Sequence, residues 1–145
     1  MTPLVRELRI VYSAPVQAGP PPQVGRPADA AALLRERLEC EPVEVCLVLL
    51  VNTKQGVIGV HELSRGTLDR CLAHPREVFK AAVLGNAAGV IVAHNHPSGD
   101  PTPSPDDVML CTRLRHAAEI LGIDLLDFLI IGNGGRYYSF KEAAR

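Results

Sequence analysis

The chain has 145 residues, enough for one domain with a core of its own. Hydrophobic residues make up 47% and charged residues 21%, a globular balance that excludes a generally disordered chain. The formal net charge of −1 argues against nucleic-acid binding by broad phosphate neutralisation, which needs a basic surface.

Arg6, Glu7 and Arg9 interrupt the first ten residues and leave no apolar core for a signal peptide. The longest purely apolar run, Val45 to Val51, falls far short of the roughly 20 residues of a membrane-spanning helix. Both features predict a cytoplasmic protein with no membrane partner. Cys40, Cys46, Cys71 and Cys111 form no C-x-x-C pair and read as small buried hydrophobes.

In chain order, Leu4 to Tyr12 carries Leu8, Ile10 and Tyr12 on one side and predicts a strand. Ser13 to Arg26 holds Pro15, Pro20, Pro21 and Pro22 and reads as a linker, so residues 1–26 form an arm and 27–145 the domain. Pro27 opens a helix to Leu38, with Ala30, Leu33, Leu34 and Leu38 at helical spacing. Val43 to Asn52 is a continuous apolar run, the profile of a strand covered on both faces. Gln55-Gly56 turns it into a second strand, Val57 to Leu63. Pro75 starts a helix to Leu84, and Ala88 to Ala93 is a short buried strand. A proline-rich loop leads to a helix from Ser104 to Leu121, ended by Gly122. Leu125 to Ile131 is a further strand, and Asn133-Gly134-Gly135 turns it into a last one, Arg136 to Phe140. The sum is an α/β or α+β layered domain with a mixed sheet.

The chemistry concentrates in the loop from His94 to Asp107. In extended backbone, residues i and i+2 share a face, so His94 and His96 can converge on one point. Asp107 stands in the first turn of the following helix. Two imidazoles and a carboxylate are a catalytic zinc set that leaves a fourth position for water. Ser104-Pro105-Asp106-Asp107 is equally a helix-capping sequence, with an acid at N3. The letters His94-Asn95-His96 spell a nuclease motif, but that motif is spread over a longer unit, and contiguity argues against it. The zinc deaminase pattern H-x-E with P-C-x-x-C is absent.

His94-x-His96, seven residues, Ser104, two residues and Asp107 match the signature of JAMM (JAB/MPN-type) metalloproteases. Further segments resemble the bacterial RadC proteins: Arg65-Gly66-Thr67, His74 to Phe79, His94 to Gly99, Pro103-Ser104, and Gly122-Ile123 through Leu126-Asp127. The resemblance runs from about residue 27 to the end. It implies a mixed sheet sandwiched by helices, layered as in cytidine deaminases. It implies Zn2+ held by His94, His96 and Asp107, a glutamate that deprotonates the attacking water, and Ser104 steadying the reaction centre. That glutamate maps to Glu44, at the mouth of the apolar strand, where partial desolvation suits a general base. Glu62 and Glu77 are alternatives: Glu62 reads as solvent-facing, Glu77 as a helix first-turn acid. Asp100, Asp106 and Asp127 are candidates to orient the imidazoles. RadC proteins commonly carry a helix-hairpin-helix module ahead of this domain, for which residues 1–26 leave no room. They also often place a histidine where this chain has Phe128, which reads as core.

The expected function is zinc-dependent hydrolysis of an amide or isopeptide bond in a protein or peptide. A second reading is a DNA-repair or mobile-element accessory protein with Arg65, Arg70, Arg76 and Lys80 as a basic rim, which the net charge does not favour. A third is a non-catalytic interaction module, in one version a homodimer through the N-terminal arm.

Overall fold

A computed structural model describes Val5, Glu7, Arg9 and residues 19–66 and 73–144. The strand expected over Leu4 to Tyr12, Cys71 and Arg70 lie wholly or largely outside these residues. The elements are α1 (Pro27–Leu38), β1 (Val45–Val51), β2 (Val57–Arg65), α2 (Pro75–Leu84), β3 (Gly89–Asn95), α3 (Pro105–Leu121), β4 (Asp124–Ile131), β5 (Tyr137–Ser139) and α4 (Phe140–Ala143).

The five strands form one mixed sheet in the order β2-β1-β3-β4-β5. β3 and β4 run parallel, joined through α3, and every other neighbouring pair is antiparallel. β1 and β3 are buried along their whole length because helices cover both faces of the sheet. Leu47, Leu49 and Val51 of β1 pack with Leu34 and Leu38 of α1. The alternate residues Cys46, Val48 and Leu50 pack with Val78 and Phe79 of α2 and Leu114 of α3. The expected helix-sheet-helix layering is therefore the observed one. Among the described residues, no helix is long and apolar enough to cross a membrane.

Local chemistry explains the element boundaries. The β1–β2 turn is tied by Asn52, whose Oδ1 accepts the Lys54 and Gly56 amides, each at 2.9 Å. α3 starts on Ser104 and stops where Gly122 takes φ 68°, as its capping sequence predicts. The last strand is shorter than expected, and Phe140 begins α4 instead of ending β5. Asp127 causes this. Its carboxylate accepts the Ser139 hydroxyl at 2.6 Å and the Lys141 amide at 3.0 Å, drawing the chain out of the ladder. The end of the proline-rich linker is also part of the structure: Gln23 bridges to Gly56, and Val24 is buried. The reading of all cysteines as buried holds for Cys46 and Cys111, whereas Cys40 is exposed.

The register places the site. β1 and β3 pair antiparallel with Cys46 opposite His94. Continuing that register sets Glu44, just before β1, across from His96, just after β3. Residues 52 apart in sequence thus meet at one end of the sheet.

Candidate metal centre

His94 is the penultimate residue of β3 and is 3% exposed. Its Nδ1 lies 3.2 Å from the Asn95 carbonyl oxygen. His96 follows, with Nδ1 2.8 Å from the Asp100 carbonyl oxygen. A carbonyl only accepts, so each ring carries its proton on Nδ1 and turns Nε2 toward the site. Backbone carbonyls, not the candidate carboxylates, therefore orient both imidazoles. The Asp100 side chain instead folds its own loop, accepting the Thr102 amide at 3.0 Å and the Thr102 hydroxyl at 2.7 Å. Asp106 is exposed, and Asp127 is engaged with Ser139 and Lys141.

The loop carrying His96 is locked against the β4–β5 hairpin. The Gly99 carbonyl accepts the Asn133 amide and the Arg136 guanidinium, both at 2.9 Å. Gly99 has φ 86°, and a Cβ there would fall 2.3 Å from Asn133 Nδ2. Only glycine meets both conditions.

Asp107 unites the two roles that its sequence context left open. It closes the capping box with Ser104: the Ser104 amide donates to Oδ2 at 2.8 Å, and the Asp107 amide donates to the Ser104 hydroxyl at 3.2 Å. The same carboxylate faces both imidazoles. Oδ1 is 2.9 Å from His94 Nε2, and Oδ2 is 3.1 Å from His96 Nε2. Glu44 is half-buried and joins from the other strand. One ligand atom each from Glu44, His94 and His96 all lie within 4.8 Å of one another.

The electrostatics fit a cation. His94 Nε2 is fully buried and makes no hydrogen bond, although a carboxylate oxygen stands 2.9 Å away. A lone pair facing a carboxylate is unfavourable unless a proton or a metal ion lies between them. The Asp107 contact holds the proton affinity of His96 above its ordinary value, against the opposing effect of burial, and the charge of Glu44 adds to it. Burial pushes the Asp107 carboxyl up, but the two imidazoles that face it outweigh burial and hold the group well below the usual carboxylate range. The raised proton affinity of His96 marks a negatively charged site that also favours a divalent cation, and two imidazoles with carboxylates are a donor set that zinc accepts.

The other candidates stand elsewhere. Glu62 is exposed and paired with Arg65 at 2.8 Å. Glu77 pairs with Lys80 and Arg76 in the first turn of α2. The three described residues of the expected basic rim, Arg65, Arg76 and Lys80, are all held by acids. Phe128 is core, 1% exposed, with its ring 5.5 Å from that of His94. Sequence reasoning passed over Asn95, which is 2% exposed and bonded to Val43 and to Val45 at the start of β1. Its partners lie some 50 residues away, so no local pattern marks it.

The family model of the RadC-like JAB domain matches residues 24–145. The chain belongs to the RadC-like JAB family. It is similar to a UPF0758 protein of Clostridium perfringens, 45% identical over 120 residues, covering 83% of this chain and 52% of that protein. A UPF0758 protein of Moorella thermoacetica is 49% identical over 119 residues, covering 82% of this chain and 52% of the relative. One from Thermotoga maritima is 52% identical over 99 residues, covering 68% and 44%. This RadC-like chain thus spans about half the length of the curated relatives it matches. JAB domains of this type are typically metallohydrolases, and the names of these RadC relatives specify no activity.

Proposed function

We propose that this domain is a zinc-dependent hydrolase of amide or isopeptide bonds, with His94, His96 and Asp107 holding the metal and Glu44 acting as general base. The observation that carries the reading is the convergence of the buried His94 Nε2 and the half-buried His96 Nε2, each fixed by a carbonyl behind its ring, on two carboxylates. Bound there, zinc would supply Lewis acidity to the attacking water and to the scissile carbonyl. Glu44 takes the proton from the water as the C–O bond forms, and then passes it to the leaving amine as the C–N bond breaks. Ser104 uses its oxygen to accept the Asp107 amide, which leaves its own O–H to steady the developing oxyanion. The likeness to the RadC-like JAB domain supports the same assignment.

Metal analysis of untagged protein purified without chelator tests it. Wild type is expected to carry about one zinc per chain, since a single such donor set is proposed. His96→Ala loses the metal. Glu44→Gln keeps it but loses hydrolysis of peptide or isopeptide substrates by about 100-fold or more. Wild type that neither holds nor takes up a divalent metal overturns the reading and leaves a partner-binding role for the domain.

A further inference from the structure

We propose that Asn95 is a positioning residue whose amide sets Glu44 at the site, an inference that rests on the reading of Glu44 as the base. Asn95 lies between the two histidines and is buried at 2% exposure. Its side chain bonds the other segment. Oδ1 accepts the Val45 amide at 2.7 Å. Nδ2 donates to the Val43 carbonyl at 3.0 Å and, at longer range, to the Glu41 carbonyl at 3.4 Å. The two shorter bonds fall on the residues immediately before and after Glu44.

The placement follows from the sheet. The β1–β3 ladder pairs Cys46 with His94, and the next rung would set Val45 against Asn95. One primary amide, with one acceptor and two donors, takes over that rung and reaches past it. On the far side, the Glu44 carbonyl accepts the Gly66 amide at 2.8 Å. The backbone around Glu44 is thereby fixed from both flanks. The His-Asn-His triplet sends alternate side chains to different tasks: two imidazoles to the site, and one amide to the strand that carries Glu44. Asp at position 95 keeps the shape and the acceptor for Val45 but loses the donor, and it sets a carboxylate against two carbonyl oxygens. Asn is the residue that satisfies both sides.

The test compares wild type, Asn95→Ala, Asn95→Asp, Glu44→Gln and Asn95→Ala/Glu44→Gln. In metal-free protein, amide exchange at Val45 is expected to speed by about tenfold in Asn95→Ala, with Leu47 and Leu49 unchanged. The Co(II)-loaded proteins then report the site. Asn95→Ala is expected to bind Co(II) nearly as tightly as wild type, short of the about 10- to 100-fold loss that follows removal of a group orienting a ligand. The pH midpoint of its visible Co(II) spectrum shifts in the direction seen in Glu44→Gln. The double variant matches Glu44→Gln alone, because the two residues act as one unit. Asn95→Asp keeps the acceptor for Val45, so its Val45 exchange is expected to stay nearer to wild type while its Co(II) midpoint shifts as in Asn95→Ala. A wild-type pH midpoint in Asn95→Ala, additive effects in the double variant, or loss of Co(II) overturns the proposal. Wild type that takes up no Co(II) overturns the hydrolase reading first, and faster Val45 exchange then marks Asn95 as a fold-stabilising clamp only.

Discussion

Asp127 accepts three hydrogen bonds inside the core: from Ser139 Oγ at 2.6 Å, from the Phe128 amide at 2.7 Å and from the Lys141 amide at 3.0 Å. Asp127→Ala strips these partners at once and is expected to cost about 2–4 kcal/mol in urea unfolding, since buried polar groups left unpaired are costly. Burial raises the carboxyl's proton affinity, and the Ser139 bond only partly offsets that. The folded state therefore holds this proton to higher pH than the unfolded chain does. The group's contribution is most favourable below the unfolded value of about 4 and declines as pH rises through the raised folded value. Asp127→Asn is thus expected to cost more at pH 4 than at pH 8. An equal cost at both would show that the carboxyl titrates normally. The contrast with Asp107 is instructive at the same scale. Both carboxylates are buried, but Asp107 faces imidazoles and is driven the other way.

At the scale of elements, the loop between β3 and α3 is held by packing against the β4–β5 hairpin. Gly99 and Gly122 both have positive φ, 86° and 68°, but only the first is also crowded. Gly122→Ala adds backbone strain alone, about 1 kcal/mol, and leaves metal uptake intact. Gly99→Ala adds the same strain and drives a methyl into Asn133, so it is expected to cost more and to weaken metal uptake through the His96 backbone, whose carbonyl the Gly99 amide bonds at 2.9 Å. Parallel denaturation and metal titrations of the two variants decide this, and equal metal affinity would show that the loop does not hold His96. α3 is legible in the sequence because Ser104, Pro105, Asp107 and Gly122 each carry a local signal. α4 also carries a local signal, since Ser139-x-x-Glu142 is a capping pattern and the Ser139 hydroxyl accepts the Glu142 amide at 3.0 Å, but the strand-like residues before it mask so short a helix.

At the scale of the molecule, the structured unit reaches back before Pro27. Val24 is buried, its amide donates to the Gln55 carbonyl at 3.0 Å, and the Val57 amide donates to the Pro22 carbonyl at 2.9 Å. A chain starting at Pro27 is expected to be less stable than one starting at Gly19 by about 2–3 kcal/mol, the burial of one valine with modest help from hydrogen bonds. Thermal melts of the two chains measure it, and equal midpoints would show that residues 19–26 add nothing. The proline count of this stretch suggested a linker, and the tertiary contact of Val24 is what ends it. The apolar spacing of the strands, by contrast, announced the layering, since a run such as Val45 to Val51 is stable only when helices cover both its faces.

The sequence by itself determined the elements from α1 to β4, the layered class and the signature His94, His96, Ser104 and Asp107, because propensity, capping and spacing act over a few residues. The family resemblance, not spacing, singled out Glu44 from Glu62 and Glu77. Only the tertiary structure brought Glu44 opposite His96, assigned the orientation of both imidazoles to the Asn95 and Asp100 carbonyls, and engaged Asn95 with Val43 and Val45. Antiparallel register and buried hydrogen bonds join residues some 50 positions apart, and that pairing is chosen by the packing of the whole sheet, not by any stretch of chain.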